Sequence, residues 1–207
     1  MLRSRLYEEQ SFAYQEIPFL EHVDLRGNFQ CEWYFRDAED AIRDLLAEPE
    51  GIKSQLDEFC RIKKLSDFDA IHIRNYSLSP DNKGDPMGRL PDEYFIRALK
   101  ELESDRPLVI TTDDLARTGS FLSRIKMNRP HILLRSDDAL KDFHLLSRAK
   151  RHAISNSSFS WWAAYLGGPD NIVIPPHRYY WFKDGSRQDA FWDPRDLYPA
   201  RFRELIY

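Results

Sequence analysis

The sequence predicts an α/β fold, a doubly wound parallel sheet with helices on both faces, and two observations carry that reading. From residue 68 onward, short apolar runs alternate with segments of helical length, the pattern of βαβ units. Hydrophobic residues make up 42% of the 207-residue chain and charged residues 31%, a balance that supports a packed core and argues against disorder.

Residues 1–35 are polar, aromatic and irregular, with one strand expected around Val23-Asp24-Leu25. Residues 38–47 and 51–63 read as helices, split by Glu48-Pro49-Glu50-Gly51, a hinge or boundary. Asp69 to Ile73 reads as a strand. The loop 77–90, with Pro80, Gly84, Pro86 and Gly88, reads as a mobile flap. Pro91 to Glu103 reads as a helix, with Pro91 near its first turn and Asp92 and Glu93 complementing its dipole. Strands follow at Leu108–Thr111, His131–Leu134, His152–Ser155 and Asn171–Ile174, with helices between them at Asp113–Lys126 and Asp138–Lys150. After Ser155 a further helix runs to a stop at Gly167-Gly168. The tail beyond Pro176 carries Tyr179, Tyr180, Trp181, Phe182, Phe191 and Trp192, and is expected to pack back on the sheet. The chain thus divides into residues 1–64 and a sheet domain, residues 65–207.

Composition excludes several classes. A net charge of -4 argues against a nucleic-acid binder that relies on bulk electrostatics. The two cysteines, Cys31 and Cys60, have no metal-ligand spacing and read as reduced thiols. There is no 18-residue apolar run, and Met1-Leu2-Arg3-Ser4-Arg5 leads into no apolar signal region. The expectation is a cytoplasmic protein, with peripheral membrane association left open.

Ligands of open parallel sheets bind outside the carboxyl ends of the strands. His72-Ile73-Arg74, Thr112-Asp113-Asp114 and Ser155-Asn156-Ser157 all stand at such ends. The polar turn before the last helix offers hydroxyls and free N–H groups at a positive helix end, an anion site; an ordinary Ser N-cap is the plainer alternative. Arg74 brings a fixed charge and a forked donor array suited to a diphosphate, or else a surface ion pair. His72 faces the opposite side from Ile71 and Ile73, and a lone strand histidine is commonly a hydrogen-bonded core residue. Asp113-Asp114 suggests a metal at first sight, but a helix N-cap pair explains it more simply. Trp161 and Trp162 point to different helix faces, so at least one is core.

These motifs carry a resemblance. Asn156-Ser157-Ser158-Phe159-Ser160-Trp161-Trp162-Ala163-Ala164-Tyr165-Leu166 resembles the C-terminal motif of the α-1,2-fucosyltransferases, glycosyltransferase family eleven. Ile71-His72-Ile73-Arg74 resembles the start of that family's His-X-Arg-Arg-Gly-Asp motif, and Thr112-Asp113-Asp114 its Ser-Asp-Asp turn. Gly27-Asn28-Phe29-Gln30-Cys31-Glu32-Trp33-Tyr34-Phe35 is similar to its Gly-Tyr-Phe-Gln-Ser-Glu-Lys-Tyr-Phe segment, and Ile172-Val173-Ile174-Pro175-Pro176 also fits. Order and spacing match over residues 11–182. There are two departures. Asn75-Tyr76-Ser77 stands where Arg-Gly-Asp is the pattern, and the family's Gly-rich opening segment has no counterpart here.

The resemblance implies a GT-B-like fold in which residues 65–207 form the nucleotide-sugar-binding half and residues 1–64 an abbreviated acceptor-side region. It implies transfer of L-fucose from GDP-fucose to a glycan acceptor, at a galactoside 2-hydroxyl, with inversion and without a metal or other cofactor. The alternatives are a non-catalytic or truncated nucleotide-sugar-binding protein, favoured by Asn75 and the missing opening segment, and a transferase with another donor. The donor-binding residues implied are His72, Arg74, Asn75, Asp142, Asn156, Ser157 and Ser158, with Arg74 catalytic through the leaving diphosphate. Asp142 enters because an acidic residue before a similar His-hydrophobic-Leu-Ser stretch contacts guanine in related fucosyltransferases; a solvated helix face is its other reading.

Overall fold

A computed structural model describes residues 5–19, 21–76, 88–102, 104–135, 138–168, 170–182 and 191–207. The chain opens with a two-stranded parallel sheet, β1 (Arg5–Glu8) and β2 (Val23–Arg26), paired from Arg5↔Val23 to Glu8↔Arg26. The sequence predicts β2 but not β1. The Glu9 carboxylate accepts from the backbone N–H groups of Asn28 at 2.6 Å and Phe29 at 3.1 Å. That approach leaves Gly27 no room for a side chain, since a Cβ there would lie 2.4 Å from Glu9 Cβ. Helices α1 (Glu39–Leu45) and α2 (Glu50–Lys63) follow.

The main sheet has five parallel strands: β3 (Asp69–Ile73), β4 (Leu108–Thr112), β5 (His131–Leu134), β6 (Arg151–Ala153) and β7 (Ile172–Ile174). Helices α3 (Asp92–Glu101), α4 (Leu115–Arg124), α5 (Ala139–Ser147) and α6 (Ser158–Leu166) connect them in turn. The spatial order is β5-β4-β3-β6-β7. The chain lays down three strands in one direction, then crosses back to place β6 and β7 on the other side of β3. This is the doubly wound arrangement expected from the alternation of elements. The loop read as a flap lies outside the described residues over 77–87.

Every position of β3 and β4 is buried, as a sheet covered on both faces requires, and this is why these strands read as apolar runs. Alternation along each strand divides the contacts. Ile71, Ile73, Leu108 and Ile110 meet Tyr94, Phe95 and Ala98 of α3 and Phe121 and Leu122 of α4. Ala70 and Val109 meet Leu56 of α2, Leu145 and Leu146 of α5 and Ala163 of α6. Each fully buried large side chain is worth about 1.5–3 kcal/mol relative to exposure. A third cluster joins α6 and β7 to the tail through Trp161, Tyr165, Val173, Trp181, Trp192, Leu197 and Phe202. The tail does pack back on the sheet, and Arg203 N donates to Val173 O at 2.8 Å. Trp161 is fully buried and donates its indole N–H to Leu197 O at 2.9 Å, whereas Trp162 is half-buried beside the Phe35 ring.

Two close contacts hold helices against the sheet and against each other. The Tyr94 hydroxyl donates to Ile154 O, just past β6, at 2.6 Å. At the far end of α6 a Cβ on Gly167 would come within 2.8 Å of Ser147 O, the last residue of α5. At the opposite, amino end of β3, the buried Asp69 carboxylate accepts from Arg129 at 2.8 Å and Ser104 at 2.7 Å, an ionic cluster that serves the fold. Cys31 and Cys60 are both free thiols. No helix among the described residues is long and apolar enough to cross a membrane.

Candidate functional site

The strand order reverses between β3 and β6, so a crevice opens at their carboxyl ends. Ser155, the second residue past β6, spans it: its hydroxyl donates to His72 O at 2.7 Å and accepts from Arg74 N at 3.0 Å. Above this seam is a cleft of about 580 Å³, lined by His72 on β3 with Arg74 and Tyr76 just past it, and by Thr111 and Thr112 on β4 with Asp113 just past it. Arg135, Ala139 and Asp142 line it on the β5 side, and Ser157, Ser158 and Phe159 on the β6 side.

The amino end of α6 forms one wall. Its N-cap residue, Ser157, is extended, and no side chain caps the helix. Helices α4 and α5 differ: Asp114 accepts from Arg117 N and Asp138 from Leu140 N, each at 2.9 Å. The Ser160 hydroxyl turns back to Ser155 O and Ser157 O, away from the first-turn N–H groups. The positive end of α6 therefore meets the cleft without a side-chain anion, which suits it to an exogenous one.

Arg74 lies across this opening. Its guanidinium is 3.4 Å from Asp113 Oδ2 and 5.3 Å from the centre of the Tyr76 ring. Tyr76 itself adopts a left-handed backbone, φ 49°, and donates its hydroxyl to Asn156 O at 2.5 Å. A tyrosine held in that region is strained, and the strain places an aromatic face against the Arg74 cation. His72 is buried, its ring 5.5 Å from that of Phe159. Burial, reinforced by the Arg74 charge and opposed by Asp113, lowers its pKa to about 4, so the imidazole is neutral at pH 7.

The structure brings His72, Arg74, Asp142, Ser157 and Ser158 together on this one cleft. It does not bring Asn75 or Asn156 there. The Asn75 side chain is buried, donating to Thr112 Oγ1 at 2.9 Å and Thr118 Oγ1 at 3.0 Å and accepting from Arg89 Nε at 3.0 Å. It ties the end of β3 to α4. Asn156 is likewise buried and donates to Gly88 O at 2.9 Å and Trp181 O at 3.0 Å, anchoring neighbouring loops. Of the acidic pair, Asp114 is the N-cap expected from the sequence, while Asp113 instead accepts from Asn75 N at 2.7 Å and faces Arg74.

Arg135 is a cleft-lining residue that the sequence reading passes over. It follows β5 as Arg74 follows β3, is exposed, and forms no ion pair among the described residues. Its position directly after an apolar strand was the available signal. With Asp142 it also borders an adjoining apolar groove of about 250 Å³, lined by Leu56, Phe59, Leu134 and Leu145. Among the described residues no group of three or more His, Cys, Asp or Glu side chains is placed to hold a metal ion. The cleft thus offers two guanidinium groups, that of Arg74 paired with Asp113, and an uncapped helix end for an anion, and the Asp142 carboxylate and a neutral imidazole for an uncharged polar group.

Comparisons with known proteins bear on the family of the chain. The chain is 28% identical over 160 residues to an alpha-1,2-colitosyltransferase of Escherichia coli, covering 74% of this chain and 55% of that protein. It is 26% identical over 180 residues to the O-antigen biosynthesis glycosyltransferase WbnK of Escherichia coli, covering 77% and 57%. It spans a little over half the length of either relative. A crystal structure of POFUT1 in complex with GDP-fucose aligns over 51% of this chain and 38% of its own, at 13% identity and a TM-score of 0.33; the fold assignment rests on the sheet order instead. The profile of glycosyl transferase family 11 matches residues 7–193. The chain belongs to glycosyl transferase family 11.

Proposed function

We propose that this chain binds a guanosine diphosphate sugar in the cleft at the β3/β6 crevice and takes part in transfer of a fucose- or colitose-type sugar to a glycan hydroxyl. The observation that carries the reading is the uncapped amino end of α6 facing Arg74 across a cleft whose other end holds Asp142. The diphosphate lies between Arg74 and the first turn of α6, within reach of the Ser157 and Ser158 hydroxyls. The base extends toward Asp142, whose carboxylate can accept two parallel N–H bonds from the guanine edge. As the acceptor oxygen attacks the anomeric carbon, the sugar–phosphate bond breaks, its electron pair leaves with the diphosphate, and the acceptor hydroxyl gives up its proton to solvent. Arg74, Arg135 and the helix dipole stabilise that developing charge. GDP-fucose as donor, a galactoside 2-hydroxyl as acceptor and inversion at the anomeric carbon are the specific form of this proposal.

Acceptor-dependent GDP release from GDP-fucose, with a β-galactoside as acceptor and UDP-galactose as the control donor, tests it. Release with GDP-fucose alone among the donors supports the proposal; release only from UDP-galactose contradicts it. A second reading keeps donor binding and drops transfer. It is favoured by Asn75, which stands where the family pattern has an arginine and is buried between Thr112 and Thr118, away from the cleft. Tight GDP binding with no acceptor-dependent release would select it.

A further inference from the structure

We infer that Thr111 is a specificity residue for the nucleotide, its hydroxyl donating, beside His72, to the acceptor edge of the purine base. The inference rests on the reading of the cleft as a guanine-nucleotide site and names a contact within it. Thr111 lies on β4 in register with His72 on β3. Alternation turns both away from Ile73 and Ile110 and toward the cleft, which both residues line. They are 1% and 6% exposed, and neither Thr111 Oγ1 nor His72 Nδ1 has a hydrogen-bond partner among the described residues.

Such buried unpaired atoms are uncommon, and each calls for a reason. The neighbouring hydroxyl shows the contrast. Thr112 Oγ1 donates to Ile73 O at 2.8 Å and accepts from Asn75 Nδ2 at 2.9 Å and Asp114 N at 3.1 Å. Valine has the shape of threonine, favours strands equally and leaves no unpaired hydroxyl, so packing alone does not account for Thr111.

The placement matches one part of the ligand. With the diphosphate at the β6 side and strands about 4.8 Å apart, Thr111 lies about 10 Å along the sheet from β6, the reach of a nucleoside from its phosphate. Asp142 can only accept when ionised, so it suits the N1–H and N2–H edge of guanine. The opposite edge offers two acceptors, N7 and O6. The Thr111 hydroxyl and the neutral His72 imidazole are the donors that edge needs.

The experiment is calorimetric titration of the full chain and of Thr111→Val and Thr111→Ser with GDP and with pyrophosphate, with thermal melts as the check on folding. Thr111→Val is expected to weaken GDP about 5- to 15-fold and to leave pyrophosphate within about twofold. Thr111→Ser restores GDP affinity. GDP affinity unchanged in Thr111→Val overturns the inference, as does an equal loss for both ligands, which marks a structural role. Wild-type chain that binds GDP no better than pyrophosphate removes the guanine reading and the inference with it, a failure visible before any substitution.

Discussion

Replacing Arg74 by alanine separates the ligand role of that residue from its place in the fold. Its ion pair with Asp113 spans 3.4 Å, and the Arg74 side chain is 43% exposed. A pair so open to solvent is worth at most about 1 kcal/mol, so the variant should fold with a small change in melting temperature. Binding is different, because a charge-assisted hydrogen bond to a phosphate contributes about 1.5–3 kcal/mol. The expected loss in GDP affinity is therefore about 10- to 150-fold. The released Asp113 carboxylate, 17% exposed and still held by Asn75 N, then faces the diphosphate and adds repulsion, which favours the upper end. Asp113→Asn in the Arg74→Ala background should recover part of the loss, and raising the salt concentration should narrow the gap between wild type and variant. Isothermal titration with GDP and circular dichroism measure these quantities. A GDP affinity within twofold of wild type in a folded Arg74→Ala protein would refute the assignment of the diphosphate to this end of the cleft.

Three further outcomes follow from the same geometry. Asp142→Ala should weaken GDP about tenfold, the worth of a hydrogen bond to a charged group, and leave pyrophosphate unaffected; equal losses in titration would make the residue structural. Ser155→Ala removes a hydroxyl that satisfies both His72 O and Arg74 N. It should cost about 2 kcal/mol and lower the melting temperature by about 4–8 °C, and an unchanged melt would refute its role as the clasp between β3 and β6. His72 and His152 both have pKa values lowered to about 4, in each case first by burial. Between the ordinary value near 6.5 and about 4 the unfolded chain holds more protons than the folded one, so stability should fall as pH drops through that window. Denaturant melts across that range should show a shallower fall for His72→Gln, and an identical slope would contradict the buried neutral state.

The sheet was legible in the sequence because its strands are covered on both faces. Asp69–Ile73 and Leu108–Thr112 are buried at every position, so each reads as an unbroken run between helices of regular length. β1 was not legible. Arg5–Glu8 is largely exposed, so burial left no alternation in its residues, and its pairing with β2 comes through the backbone. The site divides along the same line. Residues placed by strand ends, His72, Arg74, Ser157 and Ser158, reach the cleft because topology puts them there. Asn75 and Asn156 turn inward because their partners, Thr118, Arg89, Gly88 and Trp181, come from distant elements. No local pattern encodes such partners. Thr111 reads as one more apolar-run residue until β4 is set in register with β3 and its unpaired hydroxyl is seen beside His72.

A structure of the chain with bound GDP tests the central claim most directly. The diphosphate is expected between the Arg74 guanidinium and the first-turn N–H groups of α6, with Ser157 and Ser158 in hydrogen-bond range and the guanine edge against Asp142. A diphosphate seated away from Arg74 and α6, or a base pointing out of the cleft with Asp142 uncontacted, would contradict the account.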